Sequence, residues 1–169
     1  MTSQTSATTT HTCTIGSPVG ALTLRSNGTH LTQLHFTGDA PLDRGDLNDD
    51  PVLTAAVEQL DAYFAGERTE FDLPLDPGGT AFQRRVWAAL REIPYAETET
   101  YGELARRIGS PTASRAVGAA NGQNPIAIVV PCHRVVGANG KLVGFGGGVD
   151  RKVVLLEREA KVRLERDFG

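Results

Sequence analysis

The sequence predicts an α+β protein in two parts. A small strand-rich N-terminal domain spans residues 1–79, and a mostly helical C-terminal domain with a helix-turn-helix spans residues 80–169. Three observations predict it. Short apolar–polar segments broken by Gly, Asn and Pro fill residues 12–36, whereas capped helical patterns dominate after residue 80. Asp76-Pro77-Gly78-Gly79 reads as a linker between them. The formal charge of −3 divides unevenly: residues 1–79 hold three Arg against eleven Asp/Glu, a net of −8, and residues 80–169 hold fourteen Lys/Arg against nine Asp/Glu, a net of +5. A polyanion partner therefore suits the second part only.

At 169 residues the chain can bury a substantial core, and 40% hydrophobic with 22% charged residues is ordinary for a soluble globular protein. No apolar run approaches the roughly 20 residues that span a bilayer, so no membrane partner is expected. Met1 to Thr12 is Thr/Ser-rich with neither a basic start nor an apolar stretch, which fits a disordered tail rather than a signal peptide. Two cysteines, Cys13 and Cys132, with no sign of secretion, point to reduced thiols in a cytoplasmic setting.

Thr12–Ile15, Ala21–Arg25 and His30–Phe36 are the predicted strands, separated by Gly16-Ser17-Pro18 and by the hairpin pair Asn27-Gly28. Residues 37–50 form an acidic loop. Pro51 opens a helix through Ala65, with Val52, Leu53, Ala56, Leu60 and Phe64 near helical spacing and Gly66 as its stop. Phe71–Leu75 is a short extended segment. The acidic residues of this part cluster in loops, which argues against a metal-dependent nuclease.

Thr80 is the expected N-cap of a helix over Ala81–Ile93, with Phe82, Val86, Leu90 and Ile93 as its stripe, joined by Trp87. Thr100-Tyr101-Gly102-Glu103 has the form of a capping box and starts a short helix through Ile108. Gly109 stops it; Ser110-Pro111 is expected to cap and begin a second helix that runs to Gly122. The pair makes a helix-turn-helix. Its second helix is nearly bare, because Ala113, Ala116, Gly118, Ala119 and Ala120 leave Arg115 as the one long side chain. A major-groove reader needs several long polar side chains for base edges. A smooth helix with one Arg suits close approach to a narrow groove, where shape is read. Tight packing on a neighbouring helix would account for the same composition.

After Asn124-Pro125, the apolar run Ile126–Val130 leads into Pro131-Cys132-His133-Arg134-Val135-Val136. Proline removes a backbone donor and fixes φ, so regular structure should stop there. The next two residues are the best nucleophile and the best proton carrier near neutral pH. Arg134–Val136 and Lys141–Val143 flank Gly137-Ala138-Asn139-Gly140 as an expected hairpin. Gly144-Phe145-Gly146-Gly147-Gly148 lacks the Lys-Ser/Thr of a phosphate loop and suits close backbone approach to a ligand. A final helix from about Asp150 to Arg163 places Val153, Leu156 and Ala160 on one face, with Glu159 beside them.

Only the thiolate is nucleophilic, and free thiols are mostly protonated at neutral pH. Adjacent side chains of extended backbone point to opposite sides, so Cys132 and His133 need a turn or a bridging water to cooperate. A Glu that orients the His would complete a relay of the triad type, and Glu159, on an otherwise apolar face, is the candidate. Cys132-His133 has no CxxC or HxxxH partner for zinc. A cysteine hydrolase would have to draw on His11, His30 or His35, all in the acidic part. Taken alone, a cysteine between apolar flanks is an ordinary core residue.

The run Pro131 to Val136, with Ser114-Arg115-Ala116-Val117-Gly118 and Asn124-Pro125 before it, resembles the O6-alkylguanine-DNA alkyltransferase family. The likeness is close over residues 80–160 and looser at Ser17-Pro18-Val19-Gly20. It implies a ribonuclease-H-like N-terminal domain and a DNA-repair activity. The alkyl group of O6-alkylguanine, and of O4-alkylthymine, would pass irreversibly to Cys132 in a single-turnover reaction on a flipped nucleotide. By this resemblance Cys132 is the alkyl acceptor, His133 activates it through a water, Glu159 orients His133, Asn124 braces the turn, and Tyr101 protonates the departing guanine. Arg115 enters the base stack, with Thr112, Ala113, Ala116, Ala119 and Asn121 as further DNA contacts. Val135, Phe145, Gly146 and Gly147 line the base pocket. Phe145 stands where many relatives have Tyr, and Asn121 where some have an apolar residue.

No cofactor and no metal is implied: the position of the family's second zinc cysteine is Asn27 here, with His11, Cys13 and His30 as the alternative donors. The implied partner is double-stranded DNA containing O6-alkylguanine, met through the minor groove with little sequence preference by a monomer, cooperative assembly being left open. The competing implication is a non-catalytic binder of alkylated DNA, a kind of relative that lacks the cysteine.

Overall fold

The computed structural model describes residues 9–142 and 148–168. Strands β1 (His11–Ile15), β2 (Ala21–Ser26) and β3 (Leu31–Gly38) form an antiparallel sheet in that order. β1 begins inside the stretch expected to be a tail, because His11 and Thr12 pair with Ser26 and Arg25 of β2; residues 1–8 lie outside the described residues. Cys13, Leu22, Leu24, Leu31 and Leu34 are buried. Helix α1 (Pro51–Phe64) packs against all three strands and buries Leu53, Ala56, Leu60 and Tyr63. Asp50 caps it, accepting from the N–H groups of Val52 and Leu53 at 2.8 and 3.3 Å, and Pro51 needs no partner there. Gly66, at φ +77°, turns the chain away as expected.

The outer edge of β3 is one of the places where the two parts of the chain meet. Leu31 exchanges backbone hydrogen bonds with Pro74 and Asp76 at 2.8 and 2.9 Å, and Leu34 with Pro125 and Ala127 at 2.9 and 3.0 Å. The expected extended segment Phe71–Leu75 is therefore one bridge, Leu31 to Leu75. The apolar run Ile126–Val130 likewise starts as a bridge from Leu34 to Ile126, which covers the sheet edge.

Helix α2 (Ala81–Leu90) starts with a full capping box between Thr80 and Gln83 and ends before the expected Ile93. Pro94 disfavours helical backbone at the residue before it, and the last turn tightens to Glu92→Ala89 and Ile93→Leu90 bonds. Strand β4 (Glu99–Thr100) leads into α3 (Tyr101–Arg107), whose capping box pairs Thr100 with Glu103. Gly109 N–H bonds Arg106 O and Ser110 N–H bonds Ala105 O, a paired closure of the helix end. That closure and Arg85, whose Nη2 donates to Ser110 Oγ at 2.8 Å, occupy Ser110. Ser110 therefore does not cap the next helix: 110–113 is a turn, and α4 spans Ser114–Gly122 rather than starting at Pro111. α2 and α3 both pack on α4.

The expected hairpin is also revised. Gly137 to Lys141 does reverse, with Gly137 N–H donated to Lys141 O at 2.7 Å and positive φ at Asn139 and Gly140. Strand β5 (Val135–Val136), however, pairs in parallel with β4, and Val143 lies outside the described residues. Helix α5 (Val149–Phe168) runs past Arg163, and its buried face is Lys152, Leu155 and Glu159. Val153 and Leu156 are half-buried and Ala160 is exposed. Apolar spacing misplaced this face because two of its three deepest residues are charged. No helix among the described residues is long and apolar enough to cross a membrane.

The junction before α2 is tight. Gly79 has φ +81°, and a Cβ there would lie 2.7 Å from two ring atoms of Trp87, whose indole N–H donates to Ala120 O at 2.8 Å. Gly79→Ala is expected to destabilise the protein by about 1–3 kcal/mol, read as a lower urea midpoint at unchanged slope.

Candidate active site

Local backbone chemistry shapes the segment that carries Cys132. The Asn124 carboxamide laces the loop, its Oδ1 accepting Ile126 N–H at 3.0 Å and its Nδ2 donating to Val130 O at 2.8 Å. Between these ties Ile128 sits at φ +70°, with Val129 N–H bonded to Ala127 O. A β-branched residue there is strained by about 1–3 kcal/mol. A second three-residue turn follows at Pro131, where Cys132 N–H bonds Val130 O at 2.8 Å. Cys132–Arg134 is then one turn of 3-10 helix. At three residues per turn its side chains fan out about 120° apart, so Cys132 and His133 are not held on opposite sides as extended backbone would require.

The centre of the site is a carboxylate. Glu159 of α5 is fully buried and accepts five hydrogen bonds from four residues. Oε2 takes His133 Nε2–H at 2.7 Å, Tyr63 O–H at 2.6 Å and Arg134 Nη2–H at 3.1 Å. Oε1 takes Ala96 N–H at 3.1 Å and Arg134 Nε–H at 2.9 Å. Burial alone would raise the Glu159 carboxyl, but the hydrogen bonds and charges of His133 and Arg134 outweigh it and hold the group well below the usual carboxylate range. Glu159 is thus ionised and acts only as an acceptor, which places the imidazole proton on Nε2 and leaves Nδ1 as an acceptor. Nδ1 is buried without a protein partner among the described residues.

Burial also lowers His133 below 6.5, with Glu159 opposing, so the imidazole is neutral at neutral pH. Cys132 is only 6% exposed. Burial pushes its thiol up, while the Asn124 amide and the charge of Lys152 pull it down. The resting pair is therefore a thiol and a neutral imidazole. Lys152, buried on α5, donates to Val135 O at 2.5 Å, and burial lowers its ammonium while Cys132 draws it back up. Tyr101, half-buried at the first position of α3, is raised mainly by burial, with the Asn121 amide opposing, and stays protonated.

The structure brings Cys132, His133, Glu159, Asn124, Tyr101 and Val135 into one region. Phe145, Gly146 and Gly147 lie outside the described residues. On α4 and the turn before it, Thr112, Arg115, Ala116 and Ala119 are exposed and Ala113 is half-buried. Asn121 departs from its expected place: it is buried, with Nδ2 3.5 Å from Cys132 O, because α4 turns that position inward with Val117 and Ala120. Three participants escaped the sequence. Tyr63 and Lys152 stood outside the apolar stripes read for their helices, and Arg134, though in the motif, was given no role. The available sign was the pairing of opposite charges seven residues apart, Lys152 and Glu159, on one helix face.

Among the described residues no three His, Cys, Asp or Glu side chains gather as a metal site, so His11, Cys13 and His30 are not assembled as donors. Cys13 is a core residue whose thiol is pushed up to about 11 by burial and by Asp50 and Asp46.

Comparison with known proteins finds relatives that match nearly the whole chain. The family model for the 6-O-methylguanine DNA methyltransferase DNA binding domain matches residues 81–161, and that for the ribonuclease-like domain of the same proteins matches residues 11–77. The methylated-DNA–protein-cysteine methyltransferase of Mycobacterium tuberculosis is 58% identical over 160 residues, covering 94% of this chain and 96% of that one. Its counterpart from Methanosarcina acetivorans is 51% identical over 146 residues, covering 85% and 94%. The crystal structure of M. tuberculosis OGT in complex with DNA matches with a TM-score of 0.81 at 55% identity, covering 90% of this chain and 94% of that one. With both halves matched and identity this high, the chain belongs to the 6-O-methylguanine DNA methyltransferase family.

Proposed function

We propose that this protein repairs alkylated DNA directly, moving the alkyl group from O6 of guanine to Sγ of Cys132. The observation that carries this function is the turn at Cys132–His133, backed by a buried, ionised carboxylate. O6 of a stacked guanine cannot reach a thiol so little exposed, so the nucleotide must leave the stack, at a cost of a few kcal/mol. Arg115, exposed in the first turn of α4, is suited to fill the gap, and phosphate contacts from the basic second part offset the remainder. Ala116 and Ala119 on α4, with Thr112 and Ala113 in the turn before it, let this surface approach the minor groove closely and present no long base-edge readers, which gives little sequence preference. Val135 takes the base-pocket role that the family resemblance implies for it together with Phe145, Gly146 and Gly147, and a monomer suffices.

In the reaction His133 Nδ1 takes the thiol proton through a water. The thiolate attacks the alkyl carbon, the carbon–oxygen bond breaks toward O6, Tyr101 supplies a proton to the departing base, and the proton held by His133 then returns through solvent to the Tyr101 phenolate. The charge of Lys152 favours the thiolate as it forms. Net, the thiol hydrogen goes to guanine and the alkyl group to sulfur. The thioether has no labile bond, so each molecule acts once, and O4 of thymine is open to the same chemistry. A non-catalytic binder of alkylated DNA would leave the Cys132–His133–Glu159 arrangement without a use.

Incubation with duplex containing O6-methylguanine should add one methylene mass to the Cys132 peptide; DNA binding without any mass gain would refute the transfer. Cys132→Ser should abolish transfer and keep DNA affinity, while Cys13→Ala keeps both. Arg115→Ala should slow repair of duplex by roughly tenfold or more, a loss of at least ~1.4 kcal/mol, and spare transfer from the free base. Equal losses on both substrates would sink the role given to Arg115. Because His133 is lowered from 6.5, the single-turnover rate should stay flat through neutral pH and fall only below pH 6.5, as the base gains its proton.

A further inference from the structure

We propose that Tyr63 is a positioning residue for alkyl transfer, a side chain of the first half of the chain that acts through Glu159 on His133. This rests on Cys132 being the alkyl acceptor. Tyr63 lies in the last turn of α1, 4% exposed, and its hydroxyl is 2.6 Å from Glu159 Oε2. That is the oxygen to which His133 donates at 2.7 Å. Burial first, and then the charge of Glu159, keep the phenol far above 10, so it stays a donor across the working range. A hydrogen bond this short to an ionised oxygen is of the strong, charge-assisted kind.

Three donors share Oε2, with Arg134 Nη2 the longest at 3.1 Å, and donors on one oxygen compete. Each draws charge from Oε2, so the phenol tempers the pull of Glu159 on the imidazole proton. Without it, Oε2 becomes the better partner of His133 and the imidazolium form gains stability. The same contact fixes where the carboxylate sits. Arg158 donates to Phe64 O and lies over the Phe64 ring, and Arg166 donates to Gly66 O at 3.3 Å. Val162 packs where a Cβ on Gly66 would be 3.1 Å away. α5 is thus docked on the C-terminal end of α1, with the Tyr63–Glu159 bond in the same seam. The other groups facing this cluster are Arg134 and Tyr95 on the Glu159 side and Lys152 on the His133 side, with Arg158 and Arg166 near Tyr95. Tyr63→Phe leaves all of them in place.

The test is the pH dependence of single-turnover methyl transfer by Tyr63→Phe, beside its DNA affinity and urea midpoint. The acidic limb should move up by roughly half a unit to one unit, so that transfer below it slows by about three- to tenfold, with DNA affinity unchanged. A purely structural tyrosine would lower the urea midpoint and leave the limb where it is in wild type, and that result overturns the proposal. If Tyr63→Phe does not fold, 3,5-difluorotyrosine at position 63 keeps the ring and strengthens the donor. The limb should then move down, and an unmoved limb is again fatal. Should wild type transfer no alkyl group, the proposed function fails separately. The pH profile of Cys132 alkylation by iodoacetamide then replaces it, with a shift supporting the role of Tyr63 and superposed profiles removing it.

Discussion

A carboxylate removed entirely from water must be met by donors, and in this protein Glu159 imposes that demand on half the fold. Burying an isolated carboxylate costs many kcal/mol, and removing one partner from a buried ion pair typically costs about 3–5 kcal/mol. The five bonds that satisfy Glu159 come from α1, from the Ala96 loop after α2 and from the turn Cys132–Arg134. No arrangement that shifts α5 along α1, or swings the reactive turn away, keeps that set complete. The carboxylate therefore specifies the packing as well as the tautomer of His133. Arg134 is central to this: its guanidinium forks onto Glu159, donates to Ile93 O at 2.8 Å and lies over the Tyr95 ring.

Burial governs the rest of the electrostatics. It raises the thiol of Cys132 and lowers His133, so the resting site holds neutral groups side by side rather than an exposed thiolate. Lys152 and Asn124 counter the shift of the thiol, which keeps deprotonation within reach once a base takes the proton. The backbone supplies the geometry. Strain at Ile128 is held by Asn124 and by the anchoring of Ala127 on β3, so the turn is fixed before any substrate arrives. The first half thus contributes to the site through the β3 edge as well as through Tyr63 of α1.

Most of the elements were legible in the residues. Caps at Thr80 and Thr100, stops at Gly66 and Gly109, and the break at Pro131 act within a few positions of themselves, so local chemistry announces them. Helix starts and faces decided by distant partners were not legible. Ser110 looked like a cap until Arg85 and the end of α3 claimed it, and the buried face of α5 was misread because its charges are satisfied by residues far away in sequence.

By itself, the sequence determined that a nucleophile and a proton carrier sit at a break in a buried run, that a bare helix with one arginine precedes them, and that the basic charge lies in the second half. These are properties of adjacent residues and of composition. Only the tertiary structure decided that Cys132 and His133 share a 3-10 turn, that Asn121 faces inward, and that Tyr63, Arg134 and Lys152 belong with Glu159 and Cys132. The reason is physical: a buried charge is stabilised by whichever donors the fold brings to it, and residues 63, 96, 133 and 159 become neighbours only when α1, α5 and the reactive turn pack together.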